Sequence, residues 1–401
     1  MNLIPFSKQY LRLNESLPFG IRDSGGRLLL AAGARIDRPA MLAELQAGEL
    51  FADEAESSDW RRRLAGAMDM MILKNASLGK IVEARPDQQE REATGARELG
   101  FIEQWGEMAV VLDSAMRDMR PDTAWMARLM AVNDRVLRFA ERRPDASLYH
   151  LIFTAGHSTE RYSANHSLLC MLIAREAARM LGWPESLVTS LNMAALTMNV
   201  AMRRLQDLLA SGDPMITSTM RAEINAHAAT GADMLQAAGV ADPVWIDIVR
   251  KHHDDSDKHL ALSELNETDR AARVLRRVDV FAAKLSRRAT RVPMSPVQAA
   301  REACLGADGK PDEIGAALLK SVGLYPPGSF VQLVSGELGI VIARGHRANL
   351  PVVAALVSPS GAPLGVPAIR DTLDKRHTVK CAVGVQAVKV RPPHEQLIAM
   401  R

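Results

Sequence analysis

The stretches AHAATGADML, at residues 226–235, and KHHD, at residues 251–254, decide the fold of this chain. Each carries histidine on a segment that reads as helix. His166 lies upstream of them and Asp279 lies downstream, again on helical segments. Because imidazole suits first-row transition metals and carboxylate suits harder ions, this mixed set indicates one transition-metal ion, Mn, Fe or Zn, rather than Ca.

The two adjacent histidines constrain this interpretation. Neighbouring side chains point in different directions on a helix, so His252 and His253 share a site only near a helix end, and the acidic residues 254–257 directly afterwards are consistent with such an end. A histidine such as His166 is more often a hydrogen-bonded residue than a ligand, and the small residues around His227 are also explained by close packing. From the residues alone, these histidines are either metal ligands or ordinary hydrogen-bonded and packed residues.

Composition is ordinary for a globular protein, with 47% apolar and 24% charged residues. At 401 residues the chain exceeds the size of one hydrophobic core, so two or three domains are expected. The net charge of +3 is too small to indicate nucleic acid. Arginine pairs such as Arg276 and Arg277 are better explained as solvated helix faces than as anion sites.

The cysteines and the N-terminus favour a cytoplasmic location. Three widely spaced cysteines argue against a disulfide framework and fit a reducing compartment. The first residues lack the apolar core of a signal peptide, and no segment reaches the length of a membrane span.

The pattern predicts a mainly α chain, a helical bundle flanked by a small N-terminal α/β module and a small C-terminal β module. We predict four segments: the N-terminal module at 1–58, a helical linker region at 59–144, a helical domain at 145–324 and the β-rich module at 325–401.

Local signals refine these segments. Asp242-Pro243 and Ser295-Pro296 are typical helix starts, since each offers a capping side chain before a proline whose missing N–H is harmless. The other predicted elements are a hairpin at 20–30, helices at 39–47, 68–78 and 101–119, an acidic linker at 53–58, and strands within 330–342, 352–357 and 382–390.

In order and spacing, five motifs resemble those of HD-GYP domains, a branch of the HD phosphohydrolases: NHS at 165–167, AALTMNVAM at 194–202, AHAATGADML at 226–235, KHHD at 251–254 and VDVF at 278–281. The resemblance covers about residues 145–325. It implies an HD-type helical bundle. Active members of that family hydrolyse the bacterial messenger cyclic di-GMP at a centre of two or three metal ions.

The resemblance also implies which residues bind metal. His166 and Asp279 match ligands of the first ion, and His227, His252 and His253 match ligands of the second. These five side chains, together with Asn199 at the bridging position, make up the candidate metal site, which is incomplete.

The chain differs from HD-GYP domains at the His-Asp doublet after which HD domains are named. Met198 and Asn199 stand where the family has His-Asp, so the resemblance implies that the first ion loses an imidazole and both ions lose a bridging carboxylate. The family's phosphate-holding lysine falls at Met202, with Arg203 beside it, and the glutamate after the histidine pair is Asp254. The Gly-Tyr-Pro loop is also absent from the sequence.

These departures predict that two-metal chemistry is lost. Asn199 removes one negative charge from between two dications, and a thioether at Met198 is a poor partner for Mn or Fe. Even changes beyond the ligand shell commonly cost about 10–100-fold in affinity or activity. Three imidazoles and a water remain a competent arrangement for a single zinc-type ion.

We therefore expect a bacterial signalling or regulatory protein that is not a phosphodiesterase and acts by binding a protein partner or cyclic di-GMP. The first alternative is a single-metal phosphohydrolase or cyclic di-GMP phosphodiesterase that uses the three histidines, with Asp254 or Asp255 as general base. Nucleic-acid binding through the arginine clusters is the least favoured, because no aromatic residues interleave with them. The Met- and Leu-rich helices at 68–78 and 101–119 either form an interdomain or homodimer interface or are buried in the bundle.

Overall fold

A computed structural model of the chain describes residues 3–58, 60–61, 64–65, 99–212, 214–257, 259–305 and 309–400. Its contacts divide the chain into two compact units, Met1–Leu99 and Gly100–Arg401. The helix predicted at 68–78 lies outside the described residues. The finer division into four segments stays a prediction.

The first unit is a small α/β module. Its strands are β1 (Leu3–Pro5), β2 (Ile21–Arg22), β3 (Leu28–Leu30) and β4 (Phe51–Asp53), and helix α1 spans Pro39–Ala47. The antiparallel sheet has the order β1-β4-β2-β3, and the pairing of β2 with β3 confirms the predicted hairpin. Helix α1 has the predicted bounds. Phe6, Phe19 and Trp60 form its aromatic core, with ring centroids 5.5 Å apart.

The predicted acidic linker at 53–58 is wrong. Asp53 ends β4, and residues 54–58 are helical. Oδ1 of Asp53 accepts hydrogen bonds from the amides of Ala55, at 3.0 Å, and Glu56, at 3.2 Å, and so caps the first turn. The acidic residue that suggested a linker is a helix start signal.

The second unit is mainly helical. Its helices are α2 (Phe101–Arg117), α3 (Trp125–Arg142), α4 (Pro144–His157), α5 (Tyr162–Met180), α6 (Glu185–Thr197), α7 (Arg203–Ser211), α8 (Ser218–Ala237), α9 (Pro243–Lys251), α10 (Glu267–Leu285), α11 (Pro296–Cys304) and α12 (Glu313–Val322). The mainly α fold with flanking β modules is confirmed. No helix in the described parts of the chain is long and apolar enough to cross a membrane.

Helix starts follow the predicted chemistry. Asp242 accepts hydrogen bonds from the amides of Val244 and Trp245, and Ser295 accepts one from the amide of Gln298. Helix α9 ends at Lys251, so the two adjacent histidines lie just past a helix end, as expected.

Helix α5 is the centre of the bundle. Most of its residues are buried on every face, which is typical of a helix surrounded by others. It packs against α6, α10 and α12. A polar side chain on α5 is therefore held deep inside the protein.

The C-terminal part forms an antiparallel sheet of β5 (Phe330–Leu333), β6 (Leu338–Ala343), β7 (Val352–Val357), β8 (Pro363–Asp371) and β9 (Val379–Val383), in the order β8-β7-β6-β5-β9, and helix α13 (His394–Ala399) follows it. Phe330, Ile340 and Ile342 belong to the same hydrophobic core as the helices. The sheet thus packs on the helical body.

The strand predicted at 382–390 is wrong beyond its first residues. Val383 pairs with Phe330, which is the first residue of β5, so the partner strand has ended there. The chain then turns at Gly384 into a 3-10 turn, Val385–Ala387. Valine-rich sequence without a neighbouring strand does not form sheet.

Candidate metal centre

Three histidines from two neighbouring helices meet in the second unit. His227 comes from α8, and His252 and His253 follow the last turn of α9. Nε2 of His227 lies 3.2 Å from Nε2 of His252. The ring of His253 is 4.9 Å from that of His227 and 4.3 Å from that of His252, measured between centroids.

Backbone carbonyls fix two of these imidazoles. Nδ1 of His227 lies 2.5 Å from the carbonyl oxygen of Ile224, and Nδ1 of His252 lies 2.6 Å from that of Val249. A carbonyl only accepts, so each Nδ1 carries the proton and each Nε2 presents its lone pair. Two acceptors facing each other at this distance are favourable only with a proton or a cation between them. This orientation suits metal ligands.

Burial keeps the later histidines neutral. Burial, together with the charge of His253, lowers the pKa of His252 to about 3. Burial also lowers the pKa of His253, although Asp279 opposes this shift. Because only the neutral imidazole binds metal, both side chains are available as ligands at neutral pH.

A second cluster lies between α5 and α10. Nε2 of His166 lies 2.7 Å from Oδ1 of Asp279, and Sγ of Cys170 lies 3.5 Å from the same nitrogen. The ligand atoms of these three side chains all lie within 4.8 Å of one another, as do those of the three histidines. Burial alone would raise the pKa of Asp279, but the hydrogen bond and the charge of His166 lower it to about 2.

Asp279 faces both clusters. Its Oδ1 meets His166, while its Oδ2 lies 3.9 Å from Nε2 of His253. The structure thus brings together all five ligands that the resemblance implied, and a single carboxylate stands between them.

The departures from the family occupy a buried position. Met198 and Asn199 are 0% and 2% exposed, and Met202 is half-buried. Neither the oxygen nor the nitrogen of the Asn199 amide has a hydrogen-bond partner in the described part of the chain. A buried polar group without a partner costs about 1–3 kcal/mol. Asn199 shares a small pocket with Ser163 and Ser167, the neighbours of His166 on α5.

The guanidinium group of Arg203 is engaged in an ion pair within the protein. Its Nη1 lies 2.8 Å from Oδ1 of Asp113 on α2, and both side chains are mostly buried. Asp254 is exposed, and its Oδ1 accepts a hydrogen bond from the amide of Ser256 at 2.9 Å. Its pKa is lowered mainly by its hydrogen bonds with Ser256.

A cleft of about 490 Å³ is lined by Asp254 and Asp255, the two residues that follow His253 in the chain. Three arginines of α10 line it: Arg273, Arg276 and Arg277. Arg276 forms an ion pair with Asp255, and Arg277 pairs with Asp312 at 2.6 Å. Arg276 and Arg277, expected to be solvated, are thus engaged in ion pairs.

Sequence reasoning missed Cys170, Asp113 and Arg273. Cys170 lies four residues after His166 and therefore on the same helix face, a signal that was present in the sequence. The pairing of Asp113 with Arg203 joins helices 90 residues apart, which no local pattern reveals.

Two known proteins are similar to this chain. The chain is 26% identical over 248 residues to cyclic di-GMP phosphodiesterase PA4108 of Pseudomonas aeruginosa, a match that covers 59% of this chain and 57% of that protein. The chain thus matches little more than half the length of this curated relative. A solved structure, Bd1817, a HDG"Y"P protein from Bdellovibrio bacteriovorus, aligns with a TM-score of 0.40 and 14% identity over 79% of this chain and 98% of that chain. No family model matches.

The match to this cyclic di-GMP phosphodiesterase is in line with the resemblance of the five motifs to HD-GYP domains. The donor set of imidazole, carboxylate and sulfur in the two clusters fits divalent transition metals.

Proposed function

We propose that this chain is a regulatory protein of bacterial cyclic di-GMP signalling that binds the nucleotide or a protein partner and does not cleave the nucleotide. The observation that carries this proposal is Asn199, a buried amide without a hydrogen-bond partner at the position where the family has its bridging carboxylate.

Electrostatics supports the loss of cleavage. Two unit charges about 4 Å apart interact by about 4 kcal/mol at an effective dielectric constant near 20, so two dications repel about four times as strongly. In the metal-ligand clusters formed by the described residues, Asp279 is the single carboxylate. Asn199 contributes no charge against this repulsion.

The surroundings of Arg203 support the same conclusion. This cation is next to the position of the family's phosphate-holding lysine, but it is already neutralised by Asp113. Recruiting it for a phosphate would leave a mostly buried carboxylate without its partner, which is costly.

The cleft supports retained binding. Its volume lies within the range of small-molecule sites, and its arginines have the planar donors that recognise phosphate. A dinucleotide with two phosphates would compete with Asp255 and Asp312 for these guanidinium groups.

The test is calorimetric titration with cyclic di-GMP beside a hydrolysis assay with Mn, Fe or Ni supplied. We expect no hydrolysis of the cyclic or the linear dinucleotide. Binding that Arg276→Ala weakens and the exposed control Arg301→Ala does not would identify the nucleotide as the ligand. Turnover that His227→Ala abolishes would overturn the proposal.

A second candidate function is a single-metal phosphohydrolase. It is favoured by the two Nε2 atoms of His227 and His252, whose orientation is fixed by backbone carbonyls and which converge with His253. Three imidazoles with a water are a known catalytic arrangement. Elemental analysis that finds no stoichiometric metal after expression in metal-supplemented medium would count against it.

A further inference from the structure

Cys170 is placed like a ligand. It lies one helical turn after His166 on α5, and both residues are almost completely buried, at 0% and 2% exposure. Its sulfur, the Nε2 of His166 and a carboxylate oxygen of Asp279 converge within 4.8 Å of one another.

We propose that Cys170, His166 and Asp279 together bind one zinc-type divalent ion, with the sulfur of Cys170 as a thiolate ligand. This goes beyond the proposed function, since it concerns which ion this chain selects and not whether it cleaves a nucleotide.

The spacing of the donors supports this set. With Zn–S near 2.3 Å and Zn–N near 2.0 Å, two ligands of a tetrahedral ion lie about 3.5 Å apart. The sulfur of Cys170 and Nε2 of His166 are separated by 3.5 Å. The carboxylate of Asp279, at 2.7 Å from that nitrogen, needs to move outward by only about half an ångström.

The sulfur also restores charge. Met198 and Asn199 contribute neither an imidazole nor a carboxylate to this site. On binding the ion, the thiol releases its proton, so Cys170 and Asp279 supply two negative charges against one dication. A thiolate is a soft ligand, and it therefore favours zinc or cobalt over manganese or magnesium.

Cys304 provides a matched control. It is also a completely buried cysteine, but it belongs to neither of the metal-ligand clusters found in the described parts of the chain. Cys381 is exposed, so it is replaced by serine in every sample to prevent adventitious binding.

The experiment is a titration of metal-free protein with Co²⁺, followed by optical spectroscopy. We expect cobalt at saturation to give a near-ultraviolet sulfur-to-cobalt charge-transfer band. We expect Cys170→Ser to abolish the band and weaken cobalt binding at least about 10-fold, and Cys304→Ser to retain both. Thermal unfolding followed by circular dichroism verifies that each variant is folded.

Two results would overturn the proposal. One is a folded Cys381→Ser protein that shows no charge-transfer band even with cobalt in saturating excess. The other is a Cys170→Ser variant that keeps the band and the affinity. Neither readout depends on hydrolysis, so the result is separate from that of the nucleotide assay.

Discussion

His227 and His252 face each other through their Nε2 atoms at 3.2 Å, each held from behind by a backbone carbonyl. A pair fixed in this way needs little reorganisation to bind an ion, so its affinity for metal depends on both members.

Replacing one member of this pair tests the three-histidine cluster. We expect His227→Ala to weaken zinc binding at that cluster at least about 10-fold, because a ligand is removed and not merely a supporting group. Calorimetric titration with zinc measures this. His346→Ala, an exposed histidine of the β module, is the control. Equal affinity in the wild type and His227→Ala would contradict a metal site here.

Rebuilding the family doublet tests the charge argument. In a protein carrying both Met198→His and Asn199→Asp, a carboxylate returns to the buried position. We expect the affinity for Mn²⁺ to rise at least about 10-fold, measured by electron paramagnetic resonance of free manganese. Asn199→Leu, which fills the site without charge, is the control. A folded double variant with unchanged manganese affinity would show that the missing anion does not limit binding.

The ion pair of Arg203 with Asp113 predicts a large effect on stability. Both side chains are mostly buried, so Arg203→Ala leaves a carboxylate with weaker compensation, and we expect a loss of about 2–4 kcal/mol in urea unfolding. Arg117→Ala removes the more exposed partner of the same carboxylate and is expected to cost under about 1 kcal/mol. Similar losses in the two variants would argue against a special role of Arg203.

His150 predicts a pH dependence of stability. Burial, with a contribution from His394, lowers its pKa to about 4, whereas the unfolded chain has the ordinary value of 6.5. Between these values the unfolded state binds the extra proton. The contribution of neutral His150 to the free energy of unfolding is therefore complete above pH 6.5. It declines as the pH falls toward 4, by up to about 1.4 kcal/mol per pH unit. Urea unfolding at several pH values should show a flatter profile for His150→Phe; identical profiles would exclude this role.

Substituting two glycines separates the cost of a strained backbone conformation from the cost of a steric clash with a neighbouring helix. Both have a left-handed φ, +90° at Gly328 and +86° at Gly361. A Cβ at Gly328 would lie 2.5 Å from the carbonyl oxygen of Tyr149 on α4, whereas at Gly361 it meets nothing within 4 Å. We expect Gly361→Ala to cost about 1 kcal/mol and Gly328→Ala clearly more. Thermal unfolding measures both, and equal costs would mean that the turn at Gly328 does not dock the sheet on α4.

Local chemistry accounts for what the sequence could predict. The caps at Asp242 and Ser295 mark helix starts, and the end of α9 before His252 follows from adjacent histidines that must share one site. These features depend on neighbouring residues, so they are visible in the chain itself.

Features that depend on distant elements escaped prediction. The end of β9 is set by where β5 begins, and the partner of Arg203 comes from a helix far away in sequence. Cys170 was overlooked because a buried cysteine usually behaves as a small apolar residue. Only the approach of α10 to α5 places it beside a carboxylate.

Asp279 is shared by the two metal-ligand clusters. Because this one side chain presents an oxygen to each cluster, an ion seated at His166 would draw the group toward itself and take it away from His253. We therefore expect an ion in the first cluster to weaken the binding of an ion in the second. With such negative cooperativity, the cation that binds first would determine whether the other cluster is occupied.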